Sequence, residues 1–438
     1  MKILDFGNIK AYDFLRASLT ALEGGDLEGA ILHALYALKD SKRTTLERID
    51  VALYIAKMYS EMGEYRACAC LLFRTLRYGV AEGRIYGLLA YNFYRAGDDT
   101  NGDYYNALLD KWNREHGDTL EPIALKRTSH TSAVCGEDKS YSDSVKGIID
   151  RAWHMALAGD SARARELILS LDERQSYKKY ELLATLDVVE GADRRDTEHL
   201  YSIIMNTPIN EIDIMNLFYL FDRTGNMRGI IDLARKAIDE GKCTLRLAEI
   251  YATALLNVGE QDVARRILKR LDALFGDVMP DIRALSYVAE HNRDVNRRIY
   301  NARYVANEYG LMRDAGLMNL VRGKSIADIA CNDDIVALIH SMYNEGVVTM
   351  ATESITALLM RSKQGRHILQ DVLLDIGMTS ATMRVYIVRH LIDVEPRVKV
   401  VYDNIYNDVE VNIPKGMSDS ERYEYKNKYA YLVVSGEV

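Results

Sequence analysis

The chain has 438 residues, 48% of them hydrophobic, with 56 Lys and Arg against 64 Asp and Glu and a formal net charge of −8. That balance disfavours a surface built to coat nucleic acid, and five cysteines without a CxxC pair disfavour a disulfide framework or a structural zinc site. No stretch approaches the roughly 20 apolar residues a membrane span needs. The N-terminal MKILDFGNIKAYDFL has no apolar signal core, so the expectation is a soluble, cytoplasmic chain.

Only 5 prolines occur, so long helices are rarely interrupted. Tyrosine is abundant at 29, against 7 Phe and 2 Trp, and its apolar body and polar tip suit half-buried helix faces and contact surfaces.

In chain order, the first feature is a repeating turn. Gly25-Asp26, Gly63-Glu64 and Gly97-Asp98 are spaced by 38 and 34 residues; Gly159-Asp160, Gly191-Ala192, Gly225-Asn226 and Gly259-Glu260 follow at spacings of 32, 34 and 34. Other positions keep the same lattice. Seven residues before each glycine stand Ser18, Ala56, Ala90, Ala152, Ala184, Phe218 and Ala252, all small but one. Five after stand Ala30, Cys68, Gly102, Ala164, Asp196, Ile230 and Ala264, where Asp196 and Ile230 break the pattern. Positions nine and twelve after are mostly apolar, from Ala34 and Ala37 to Leu268 and Leu271. Each unit therefore reads as two antiparallel helices: glycine ends the first, a small residue permits close approach, and an apolar face must be covered by the next unit.

This pattern resembles the tetratricopeptide repeat, a helix pair of about 34 residues. The resemblance covers roughly residues 10–110 and 144–276. It implies an all-α, TPR-like α-solenoid of antiparallel helix pairs, with a concave face lined by the first helix of each pair. The positions facing that groove hold Lys57, Arg84, Tyr91, Tyr94 and Arg95, then Trp153, Lys178, Tyr219, Arg223 and Arg246. Such aromatic and basic side chains often dominate contact energy and suit an extended peptide with apolar anchors and carboxylates. One specialisation of the family, a clamp for a chaperone's terminal carboxylates, lacks its residues: Leu15, Leu19, Tyr54, Arg84 and Leu88 stand there.

The lattice predicts a degenerate eighth unit over 280–309, with a turn at His291-Asn292-Arg293-Asp294 and Ser286 at the small position. Residues 116–143 interrupt it as a polar linker or long loop containing Pro122. The expected organisation is N-terminal repeats over 1–115, the linker, a second repeat block over 144–309, and a C-terminal helical module over 310–438.

In that last third, helices are predicted for 334–344, 351–362, 368–375 and 381–392. Pro396 stops the helical pattern, and alternating Val398, Val400, Val409, Val411 and Ile413 predict a β-hairpin turning around Asp403 to Asn407. A short helix at 419–426 and a third strand at 429–434 complete the expectation.

Chemistry is sparse. Arg322-Gly323-Lys324-Ser325 resembles the end of a phosphate-binding loop, but Met318 stands where the earlier glycine is needed, so a surface turn is the better reading. The nine histidines form no HxxxH or HExxH motif, and there is no GxSxG. No catalytic residue, metal site or cofactor is expected. The segment around Gly377, with the hairpin as a wing, has a helix-turn-helix character; residues 361–399 carry seven Lys and Arg against four Asp and Glu, and Arg366, Arg384 and Arg389 are the candidate phosphate contacts. The expected function is a non-enzymatic protein- or peptide-binding scaffold or adaptor, with a protein or peptide partner. The alternative is a ligand-responsive transcriptional regulator with a C-terminal DNA-binding module. No membrane partner is expected, and homo-oligomerisation is compatible with either.

Overall fold

The computed structural model describes residues 11–40, 43–79, 82–117, 147–149, 151–152, 154–156, 158–172, 176–190, 195–209, 212–291, 308–375, 380–414 and 416–436. The described chain is predominantly helical, with one small antiparallel sheet. It divides into two compact units. Unit 1 comprises Met1–Lys126, Leu268–Asn292 and Gly310–Val438; unit 2 comprises Arg127–Ile267 and Arg293–Tyr309. In this division the C-terminal third shares a unit with the N-terminal helices. The expected linker over 116–143 falls almost wholly outside the described residues.

In unit 1 the first three helix pairs are α1 (Ala11–Glu23) with α2 (Leu27–Leu38), α3 (Thr45–Glu61) with α4 (Tyr65–Leu76), and α5 (Glu82–Arg95) with α6 (Asp99–His116). Unit 2 contains α7 (Ser161–Leu169), α8 (Ser176–Glu190), α9 (Arg195–Ile204), α10 (Ile214–Arg223), α11 (Met227–Asp239) and α12 (Leu245–Asn257). The next helix, α13 (Gln261–Phe275), contributes its residues from Leu268 onward to unit 1.

The turns explain why the sequence breaks where it does. Six of the predicted turn glycines are described, with φ running from 69° at Gly225 to 92° at Gly259, a region that L side chains avoid. Each turn closes with the same pair of backbone bonds: at the first, Gly25 N–H donates to the Leu22 carbonyl and Asp26 N–H to the Ala21 carbonyl. This is the Schellman arrangement, which satisfies the last carbonyls of the first helix. The residue after the glycine then caps the second helix. Asp26, Asp98, Asp160 and Asn226 each accept from a backbone N–H three residues on. Gly191 lies outside the described residues.

The lattice residues form the core. Ser18, Ala56, Ala90, Ala184 and Ala252 are fully buried, Ala152 nearly so, and the exceptional Phe218 is equally enclosed at 1% exposure. Consecutive first helices are also joined at about one repeat length: Ser18 to Tyr54, Asp50 to Arg84, Tyr177 to Asp213, and Glu181 to Asn216.

The rest of unit 1 comprises α14 (Pro280–His291), α15 (Glu308–Val321, from Gly310 onward), α16 (Ile326–Ala330), α17 (Asp333–Asn344), α18 (Met350–Leu359), α19 (Lys363–Val372), α20 (Ala381–Leu391), β1 (Arg397–Tyr402), β2 (Ile405–Glu410) and α21 (Asp419–Ser435). The first helix of the predicted eighth unit is present as α14, with Ser286 buried; its turn and second helix lie outside the described residues. Ser325 caps α16 in a capping box with Asp328, so the Arg322–Ser325 segment is a turn leading into a short helix. The hairpin pairs Arg397 with Glu410 through Tyr402 with Ile405, and both turn residues, Asp403 and Asn404, have positive φ. That geometry matches the right-handed twist of the strands. The predicted third strand is instead the end of α21, which runs unbroken from Asp419 through Ser435 and buries Tyr429, Ala430, Val433 and Val434. Its apolar residues recur at helical rather than alternating spacing.

Candidate functional site

Within unit 1, α4 is tied to α17 and α19 by buried charge. Arg74 Nη2 donates to Asp375 Oδ1 at 2.5 Å, and His340 Nδ1 lies 2.5 Å from Asp375 Oδ2. Burial pushes the Asp375 carboxyl up, but His340 and Arg74 outweigh it and hold the group down at about 2. One turn along, Arg77 pairs with Asp371. Arg74 and Arg77 are three apart on one face of α4; Asp371 lies in the last turn of α19 and Asp375 just beyond its C-terminal end. Arg77 also offers its carbonyl to Lys399 Nζ at 2.7 Å, and Tyr105 Oη on α6 bridges the hairpin tip, donating to the Asn404 carbonyl and accepting from Tyr406 N–H.

Arg74, Arg77, His340 and Asp371 line a cavity of about 340 Å³. Its apolar lining residues include Leu35, Leu38, Ala52, Leu71, Val278 and Val336; its charged ones are Lys39, Arg48, Arg74, Arg77 and Arg283 with Asp277, Asp333 and Asp371. The carboxylates are already engaged: Asp277 with Lys39 and Arg283, Asp333 with the same two, and Asp371 with Arg77. Burial works against the Lys39 ammonium, yet Asp277 and Asp333 raise its pKa above the usual lysine value. Arg48 donates to the Asp40 carbonyl at 3.3 Å and has no carboxylate partner among the described residues. The Nε atoms of Arg48, Arg74 and Arg77 are buried without a hydrogen-bond acceptor there.

The predicted groove residues divide between the units. In unit 1, Lys57 and Arg95 are exposed, Tyr91 is half-buried, and Arg84 is paired with Asp50 at 3.0 Å. Tyr94 packs its ring over Gly102 and donates to Asp103, so its role is within the pair. In unit 2, Lys178 is drawn onto the buried Glu181, which also accepts from Asn216. Tyr219 and Arg223 are exposed one turn apart on α10, following Met215, and Arg246 is exposed on α12 beside Glu249. Trp153 lies outside the described residues.

The candidate phosphate contacts are not gathered on an open surface. Arg384 is 3% exposed and donates to the Leu373 and Asp375 carbonyls, and burial lowers its pKa to about 10. Arg366 donates to Glu395 at 2.6 Å, and Arg389 sits over the Tyr386 and Tyr423 rings. The turn around Gly377 lies outside the described residues, and the wing-like hairpin has its tip seated on Tyr105.

Among the described residues, no three or more His, Cys, Asp or Glu side chains converge as a metal site, and no helix is long and apolar enough to cross a membrane. No protein-family model matches the chain, and no curated protein matches it. The cavity residues that sequence reasoning missed, Arg48, Arg74, Arg77, His340 and Asp371, carry no motif. Their one local signal is the Arg74–Arg77 spacing on α4, and nothing local links partners separated by 294 or 301 residues.

Proposed function

We propose that the chain is a non-enzymatic scaffold that binds a protein or peptide through the first helices of its TPR-like pairs, with unit 2 as the main contact surface. The observation that carries this reading is the stripe Met215, Tyr219 and Arg223 on α10. These residues recur at i, i+4 and i+8, and the first two are 48% and 37% exposed in a helix that buries Leu217, Phe218, Leu220 and Phe221. A Met–Tyr–Arg row of this kind offers adaptable apolar contact beside a planar cation, the composition of an interface anchor. Arg246 on α12 extends the basic character one repeat further.

Affinity capture with the full chain tests it, comparing wild type with a Tyr219→Ala/Arg223→Ala double variant. A partner protein held by wild type should fall roughly tenfold or more in the variant while the thermal transition is unchanged. Capture of nucleic acid alone, or equal recovery by both chains, contradicts the reading. The regulator alternative has less support, since Arg384 is buried and the hairpin tip is engaged within unit 1.

A further inference from the structure

We infer that the unit 1 cavity is a binding site for a small organic oxyanion, with a phosphate or carboxylate head and an apolar body. The site is separate from the proposed partner surface and uses none of its residues.

Three observations converge. First, the wall carries five Lys and Arg side chains and only three Asp, and each of those Asp is already paired. Arg48 is the surplus charge, held among the described residues by one carbonyl. Second, Arg48, Arg74 and Arg77 all line this one cavity, which brings three guanidinium-bearing side chains to one place. Arginine suits the task, since its planar fork matches oxyanion geometry. Third, the lining also holds apolar side chains, among them Leu35, Leu38, Leu71 and Val336, and the volume of about 340 Å³ falls within the range of small-molecule pockets, roughly 300–1,000 Å³. An inorganic ion alone would leave those side chains uncovered.

A second cavity of about 230 Å³ shares Arg77, Tyr78 and Asp371 with the first and adds Arg397 and Lys399. Tyr78 is 42% exposed at this junction, its ring 5.1 Å from the Arg77 guanidinium carbon, and presents a face against which an apolar body can lie.

The test is titration calorimetry on the full chain at fixed ionic strength, with phenyl phosphate, benzoate and inorganic phosphate as probes and chloride as the control. Phenyl phosphate should bind more tightly than inorganic phosphate, and its order relative to benzoate assigns the head as phosphate or carboxylate. Arg48→Gln should weaken the better probe at least about tenfold, as expected for loss of a charge-assisted contact. Should that variant fail to fold, Lys39→Gln, at the half-exposed rim, should weaken the same probe severalfold. The inference is overturned if no probe binds beyond the chloride control, if inorganic phosphate matches phenyl phosphate, or if the folded variants bind as wild type does.

Discussion

The two units use the same helix-pair grammar but hold themselves together differently. In unit 2 the polar links join neighbours in sequence: Tyr177 to Asp213, Tyr201 to Asp232, and Glu181 to Asn216 are each about one repeat apart. In unit 1 similar links exist, but others reach across the chain, from Arg74 to Asp375, Arg77 to Asp371, Lys399 to Arg77 and Tyr105 to Asn404. A local grammar leaves a helix stripe facing solvent. A long-range one turns helix pairs into a platform that distant segments close, and the closure is what encloses a cavity. The lesson is that a repeat unit's role is set by what covers it, not by its own pattern.

The largest effect should come from breaking the closure at its most buried point. Asp375→Ala strands Arg74 and His340 without their shared carboxylate and should cost about 3–5 kcal/mol in urea unfolding, as for removal of one partner from a buried pair. The same group predicts an acid limb. Its carboxyl titrates near 2 when folded, below the ordinary Asp value of about 4. The stability it supplies is therefore complete above about pH 4 and is lost as pH falls toward 2, on the order of 2 kcal/mol in all. Asp375→Asn should flatten that limb in a pH series of urea midpoints.

Next comes Tyr105→Phe, which removes the hydroxyl joining the Asn404 carbonyl and Tyr406 N–H to α6. It should cost about 1–2 kcal/mol and speed hydrogen exchange in residues 403–406. The smallest effect belongs to unit 2. Gly225→Ala meets no neighbouring atom within 4 Å but must adopt a φ of 69°, so it should lose about 1 kcal/mol, and Gly225→Asn less, by thermal unfolding.

Much of the fold was legible because it is written locally. Each Gly-Asp pair states a left-handed helix end followed by a cap, and the residues seven before and five after the glycine state which face is buried. The hairpin was legible for the same reason, since Asp403-Asn404 suits a turn with two positive φ values. The third strand was misread because Tyr429–Val434 has strand-forming residues, whereas the Ser418 cap and the apolar spacing carry the helix through to Ser435. The cavity was not legible. Arg74 and Arg77 meet their acids across 301 and 294 residues of chain, and no spacing rule spans that separation. Arg384 shows the converse: a cluster of positive charge in sequence says nothing about which guanidinium will be spent inside on backbone carbonyls.

The central claim is that unit 1 is sewn from both ends of the chain. Hydrogen exchange on the full-length Asp375→Ala variant tests it most directly. Exchange should rise together in α4, α17 and α19, near residues 74, 340 and 371, while α10 to α12 keep their wild-type protection. A rise confined to the segment around residue 375, or an equal rise through α10 to α12, would contradict the account.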